Sequence, residues 1–246
     1  MESTNEFFEN APIIVAMLQF RYEKIENFDI ELIKKISENL KHDFPIVNPQ
    51  IVQGIRIDNN DNETSVSLDE KKVEGIQIMS KNSKEYFTIT NQKFTFQSHE
   101  KYEGWDDFIH KIINLWNLFS KEFSLKKLKG VSLRYVNKFN LPSDTKNLQK
   151  YFNVYLKDDK NSHSIYGFQL KFSSFDKENN FKIHIGHALE KPIKDSIPYL
   201  IDIDVLYDDI IENNEEVVWP IFEKLRQKKN HIFSSGLTNE AKTLIN

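Results

Sequence analysis

The chain is expected to fold as one α+β domain built from two copies of a β-α-β-β-β-α unit, forming an antiparallel curved sheet with two long helices on one face. Three observations predict this. Apolar residues alternate with a period of two along several segments, two long segments carry a 3.6-residue period, and the element order of residues 10–124 returns in residues 128–246. Such a chain of 246 residues reads as a single domain of two pseudo-repeats.

The first half opens with a strand over Ile13–Tyr22, where Ile14, Ala16, Leu18, Phe20 and Tyr22 share one face. An amphipathic helix over Asp29–Leu40 follows, with Ile30, Ile33, Ile36 and Leu40 three or four apart, and Pro45 and Pro49 close it. Strands are expected at Ile51–Ile57, Val73–Met79 and Tyr86–Phe96, the last bending or breaking near Asn91. The clearest helix is Trp105–Phe123, whose stripe runs through Phe108, Ile112, Leu115, Trp116 and Phe119. Asp106 and Asp107 in its first turn and Lys121 in its last suit the helix dipole. In the second half the corresponding elements are a strand at Val131–Phe139, a short helix at Lys146–Tyr155, strands at Ile165–Phe175, Phe181–Leu189 and Tyr199–Tyr207, and a helix from Glu215 to about Ile232. Phe20-Arg21-Tyr22 also parallels Leu133-Arg134-Tyr135. This element order resembles that of the TATA-box-binding protein saddle and of helix-grip arrangements, in order alone.

Composition narrows the functions. With 39% hydrophobic and 13% aromatic residues there is ample material for a packed core. The formal charge of -4 disfavours a general nucleic-acid binder, which usually has a basic excess or a dense basic face. Without cysteine there are no thiolate zinc sites, thiol nucleophiles or iron–sulfur clusters. Neither a signal-peptide pattern nor an apolar run of membrane-spanning length occurs, so a cytoplasmic location without a membrane partner is expected.

Few motifs point to chemistry. No phosphate-cradling loop, dinucleotide fingerprint or nucleophile elbow is present, so no cofactor is expected. His184-Ile185-Gly186-His187 sits in a predicted strand, where residues three apart face opposite ways, so one surface and one packed histidine are expected and no metal site. Asp202 and Asp204 share a strand face about 7 Å apart. They suit a cation or acid–base pair, or more simply a salt bridge with Arg134. Arg134, Arg21 and Arg56 are strand-borne cations able to grip an anion. Tyr102-Glu103-Gly104-Trp105 reads as a helix start that needs Gly104 for its turn, or as an aromatic contact loop. The basic runs Lys126–Lys129 and Arg226–Lys229 read as helix-end cations, and Ser234-Ser235-Gly236 as a C-terminal turn with a left-handed glycine.

Five segments together carry a family resemblance: Asn10-Ala11-Pro12-Ile13, Tyr102-Glu103-Gly104-Trp105, Leu133-Arg134-Tyr135-Val136-Asn137, Ile201-Asp202-Ile203-Asp204-Val205 and Ile232 to Thr238. In this order they resemble a sporadically distributed prokaryotic protein family of uncharacterised activity. That resemblance implies a setting such as anti-phage defence or a toxin–antitoxin system, and no catalytic residue.

The expected function is therefore a non-enzymatic binding module for a protein or small anionic ligand, with Arg134, Tyr135, Asp202, Asp204, Arg21 and Trp105 as candidate contact residues. Nothing in the sequence speaks against a homodimer. The alternative is a metal-dependent enzyme acting on nucleotides or nucleic acid through Asp202, Asp204 and Arg134.

Overall fold

The computed structural model describes residues 10–53, 55–60, 63–68, 71–155 and 167–245, and within 55–67 only the backbone. The elements in chain order are β1 (Ile13–Arg21), α1 (Ile30–Ser37), β2 (Ile46–Val52), β3 (Ile55–Asn60), β4 (Glu63–Leu68), β5 (Lys72–Met79), β6 (Glu85–Thr90), β7 (Lys93–Ser98) and α2 (Trp105–Glu122). There follow β8 (Lys127–Leu128), β9 (Gly130–Pro142), β10 (Phe168–Asp176), β11 (Phe181–Leu189), β12 (Ser196–Tyr207), β13 (Ile211–Glu212), α3 (Glu215–Gly236) and α4 (Asn239–Lys242). Nine strands form one sheet in the order β10-β11-β12-β9-β1-β7-β6-β5-β2, and every neighbouring pair is antiparallel. The fold is thus α+β with a large antiparallel sheet.

Both long helices lie on one face of that sheet, and Phe20 at its centre shows why. Its ring stacks on Trp116 of α2 at 3.7 Å and meets Phe222 of α3 edge-on at 5.3 Å. Strand alternation supplies this face with Leu18 and Phe20 from β1, Phe94 and Phe96 from β7, Leu133 from β9, and Ile203 and Val205 from β12, all buried. The helices answer with Ile112, Leu115 and Phe119 from α2 and Val218, Phe222 and Leu225 from α3. Burial of so many large side chains is the main stabilising contribution.

Helix and turn starts follow local chemistry. Asp29 caps α1 by accepting from the amides of Glu31 and Leu32, and Asn214 caps α3 by accepting from that of Val217. Gly104 precedes α2 with φ of 148°, a backbone shape that side chains disfavour, as expected for the turn there. Between β10 and β11, Asp176 accepts from the amides of Glu178 and Asn179 to tighten the turn.

Several elements depart from the sequence expectation. The stretch expected as one strand at Ile51–Ile57 holds the end of β2 and the start of β3. Pro49 lies inside β2, which tolerates it because β2 is an edge strand with one ladder partner. By contrast, Tyr86–Phe96 breaks near Asn91 as expected, into β6 and β7, at the turn after Thr90, whose hydroxyl accepts from the amides of Gln92 and Lys93. The expected helix at Lys146–Tyr155 is replaced by a single 3-10 turn at Leu148–Lys150, with residues 151–155 outside any helix. Here Phe152 leaves the helical path to bridge to Leu237 and stack on Tyr199 at 4.0 Å, so tertiary packing overrides a weak local period. Gly236 is the last helical residue of α3 and does not adopt the left-handed conformation; Leu237 follows in extended backbone. The strand expected from Ile165 begins at Phe168, and residues 165 and 166 lie outside the described set.

Candidate functional site on the open sheet face

The period that buries Phe20 and Leu133 turns their neighbours to the other face, away from the long helices. Register places Arg134 of β9 opposite Asp204 of β12 and Met17 of β1. Continuing outward, Asp204 faces His184 of β11, which faces Ser173 of β10. A row of polar side chains, Ser173, His184, Asp204 and Arg134, therefore crosses four adjacent strands and ends against Met17 of β1.

Within this row Arg134 binds the diagonal carboxylate and not the directly opposite one. Its Nε donates to Asp202 Oδ1 at 2.8 Å and its Nη2 to Asp202 Oδ2 at 2.6 Å. This two-pronged pair raises the Arg134 pKa above its ordinary value, the hydrogen bond to Asp202 being the largest cause. Asp204 is left between charges with its Oδ1 buried and, among the described residues, without a hydrogen-bond partner. Loss of hydration pushes the Asp204 carboxyl up to about 6, against the opposing pull of Arg134 and His184. His184 itself shares a hydrogen bond with Ser173 through Nδ1 at 2.7 Å.

A second ionic group lies further along the same strands, near the end of β1. Arg21 lies opposite Gly130 of β9, and its guanidinium reaches across that residue to Asp208, 2.5 Å away, which also binds Lys182. Gly130 makes the crossing possible. A β-carbon there would stand 2.6 Å from Arg21 Nη2 and 2.3 Å from the Tyr207 carbonyl oxygen, and its φ of 146° disfavours any side chain. The neighbouring cations hold the Asp208 carboxyl below the usual range, with the Lys182 hydrogen bond the largest cause.

Four sequence-selected residues, Arg21, Arg134, Asp202 and Asp204, thus meet on the open face. Tyr135 and Trp105 do not join them. Tyr135 is buried on the helix-covered face, where its hydroxyl donates to Tyr102 at 2.8 Å. Trp105 packs against the core at the start of α2, with the Arg226 guanidinium 5.7 Å from its ring. Arg56 is in β3, and its side chain lies outside the described set. The two histidines separate as their spacing predicts: His187 is buried against the Tyr199 hydroxyl, and burial lowers its pKa to about 4, while His184 stands on the other face. Among the described residues, no group of three or more histidine or carboxylate side chains is placed to hold a metal ion.

Sequence reasoning missed Lys229. The run Arg226–Lys229 lies inside α3 and not at its end, and Lys229 is buried with its ammonium nitrogen 3.7 Å over the Tyr135 ring. Desolvation drives its pKa well below the ordinary lysine value. The signal was present in the spacing, because Phe222, Leu225, Lys229 and Phe233 form one buried stripe. The run reads in sequence as helix-end cations, and the continuation of α3 to Gly236 overturns that.

The fold and the site define an α+β sheet protein with one packed face and one ionic, partly exposed face. In comparison with known proteins, no family model matches the chain and no curated protein matches it. No helix among the described residues is long and apolar enough to cross a membrane.

Proposed function

We propose that this chain is a non-enzymatic binding module that recognises a protein or a small anionic ligand through the open face of its sheet. The observation that carries the reading is the closure of Arg134 on Asp202, which occupies the cation and one of the two carboxylates that a catalytic arrangement would use. Around that pair the face offers partly exposed donors and acceptors on a rigid scaffold, as recognition surfaces require. A setting in prokaryotic defence or toxin–antitoxin biology is what the family resemblance suggests.

An ancestral duplication is part of the same proposal. Counting outward from the central β1–β9 pair, one side runs β9, β12, β11, β10 and the other β1, β7, β6, β5, so the first strand of each half is followed by the later ones in reverse order. This symmetry supports duplication, while the absence of a second-half counterpart to α1 among residues 146–155 weighs against it.

One observation favours the enzyme alternative: Asp204, with its raised pKa of about 6, lies beside Arg134 and His184, and such perturbed groups cluster at catalytic sites. Turnover decides between the two. With nucleotide and nucleic-acid substrates and added magnesium or manganese, the wild type is expected to be no more active than Asp204→Asn. Hydrolysis that the substitution abolishes would establish the enzyme instead.

A further inference from the structure

We propose that the cavity at the end of β1 binds a small soluble ligand through a phosphate group. The proposal deepens the binding-module reading by naming a ligand class at one end of the open face. The cavity measures about 420 Å³ and is lined by Arg21, Tyr22, Gln92, Lys93, Lys129, Asp208 and Ile210. Small-molecule sites usually occupy about 300–1,000 Å³, so there is room for a phosphate together with a larger attached group.

The strand ends converge here because the central strands are antiparallel. The end of β1, the start of β7 and the approach to β9 meet, tied by hydrogen bonds from the Tyr22 amide to the Gln92 carbonyl and from the Lys129 amide to the Arg21 carbonyl. Three cations line the cavity against one carboxylate, Asp208, a net positive site in a chain whose formal charge is -4. Asp208 is already committed to Arg21 and Lys182. It therefore anchors the guanidinium more than it opposes an incoming anion.

The cations retain capacity for a ligand. Among the described residues Arg21 makes one ion pair and one long hydrogen bond, Nη2 to the Tyr207 carbonyl at 3.4 Å, and its side chain is 24% exposed. Lys129 pairs with Glu23 at 2.8 Å, and its ammonium is half-exposed. Lys93 has no ion pair among the described residues. Arginine beside flexible lysines is the arrangement that binds a compact multiply charged oxyanion, since the guanidinium presents paired donors and the ammoniums add point charge. Ile210, 69% exposed at the rim, supplies an apolar surface for the rest of the molecule. The charges form a cluster and not a stripe, which fits a small ligand better than a nucleic-acid backbone.

Isothermal titration of the full chain with AMP, inorganic pyrophosphate and adenosine tests this. AMP and pyrophosphate are expected to bind and adenosine is not. In the double variant Lys93→Gln/Lys129→Gln, whose side chains are surface-exposed, AMP affinity should fall at least about tenfold while the melting temperature is retained. Arg21 is left intact because its contacts join β1 to the residue after β12. Silent titrations with both phosphates, or an affinity unchanged in the double variant, would overturn the site. So would tighter binding of a single-stranded DNA oligomer through the same lysines, or sedimentation with phosphatidic acid vesicles. Failure here leaves the binding-module reading to its own turnover test, which does not involve these lysines.

Discussion

On the helix-covered face of the sheet β1, β9 and β12 contribute Phe20, Leu133 and Ile203; one residue along, on the open face, they contribute Arg21, Arg134 and Asp202. The backbones are shared and so is the register. The first set is held by large apolar areas removed from water, the second by directed charge pairs that remain partly hydrated. Stability is therefore expected to reside in one face and recognition in the other, and each substitution below bears on that division.

The largest effect is expected at Trp116. It is 3% exposed, stacked on Phe20 at 3.7 Å and edge-on to Phe94 at 5.2 Å, so it joins α2 to two strands. Trp116→Ala should cost about 3–5 kcal/mol in a denaturant titration. A loss below about 1 kcal/mol would mean that the covered face can repack around the void, against the rigidity of close-packed interiors.

Asp204 should give an intermediate effect of opposite sign. Its folded pKa of about 6 lies above the ~3.9 of an unfolded aspartate, so between these values the folded state holds the extra proton. The group's contribution is fully present below about pH 4 and is lost as pH rises through about 6. Asp204→Asn keeps the shape without the charge, so it should stabilise the protein by about 1–3 kcal/mol near neutral pH. It should also flatten the fall in stability between about pH 4 and 6. Chemical denaturation across that range measures both, and an unchanged pH profile would show that water solvates the carboxylate.

The smallest effect belongs to the Arg134–Asp202 pair. Its side chains are 41% and 29% exposed, so solvent screening limits what the two-pronged geometry contributes. A double-mutant cycle with Arg134→Ala and Asp202→Ala should give a coupling of about 1 kcal/mol or less. Coupling above about 3 kcal/mol would place the pair in a buried setting and blur the contrast between faces.

Much of the scaffold was legible in residue order. The alternation around Phe20, the stripe through Trp116 and the turn at Gly104 need only neighbouring residues, and those elements stand where expected. The segment at Lys146–Tyr155 was misread because its local period is weak and Phe152 is drawn to Tyr199, far away in sequence. Lys229 departs for a related reason: its run reads as helix-end cations, while α3 continues to Gly236 and the stripe puts Lys229 over Tyr135.

For the site, sequence alone determined which strands carry Arg21, Arg134, Asp202 and Asp204, and that the two aspartates share a face, because a period of two fixes side-chain direction along any strand. Only the tertiary structure decided that Arg134 takes Asp202 and leaves Asp204 Oδ1 without a hydrogen-bond partner among the described residues, that Tyr135 parts from them, and that Arg21 crosses Gly130 to Asp208. Those outcomes depend on the order and register of strands distant in the chain, which no local pattern encodes.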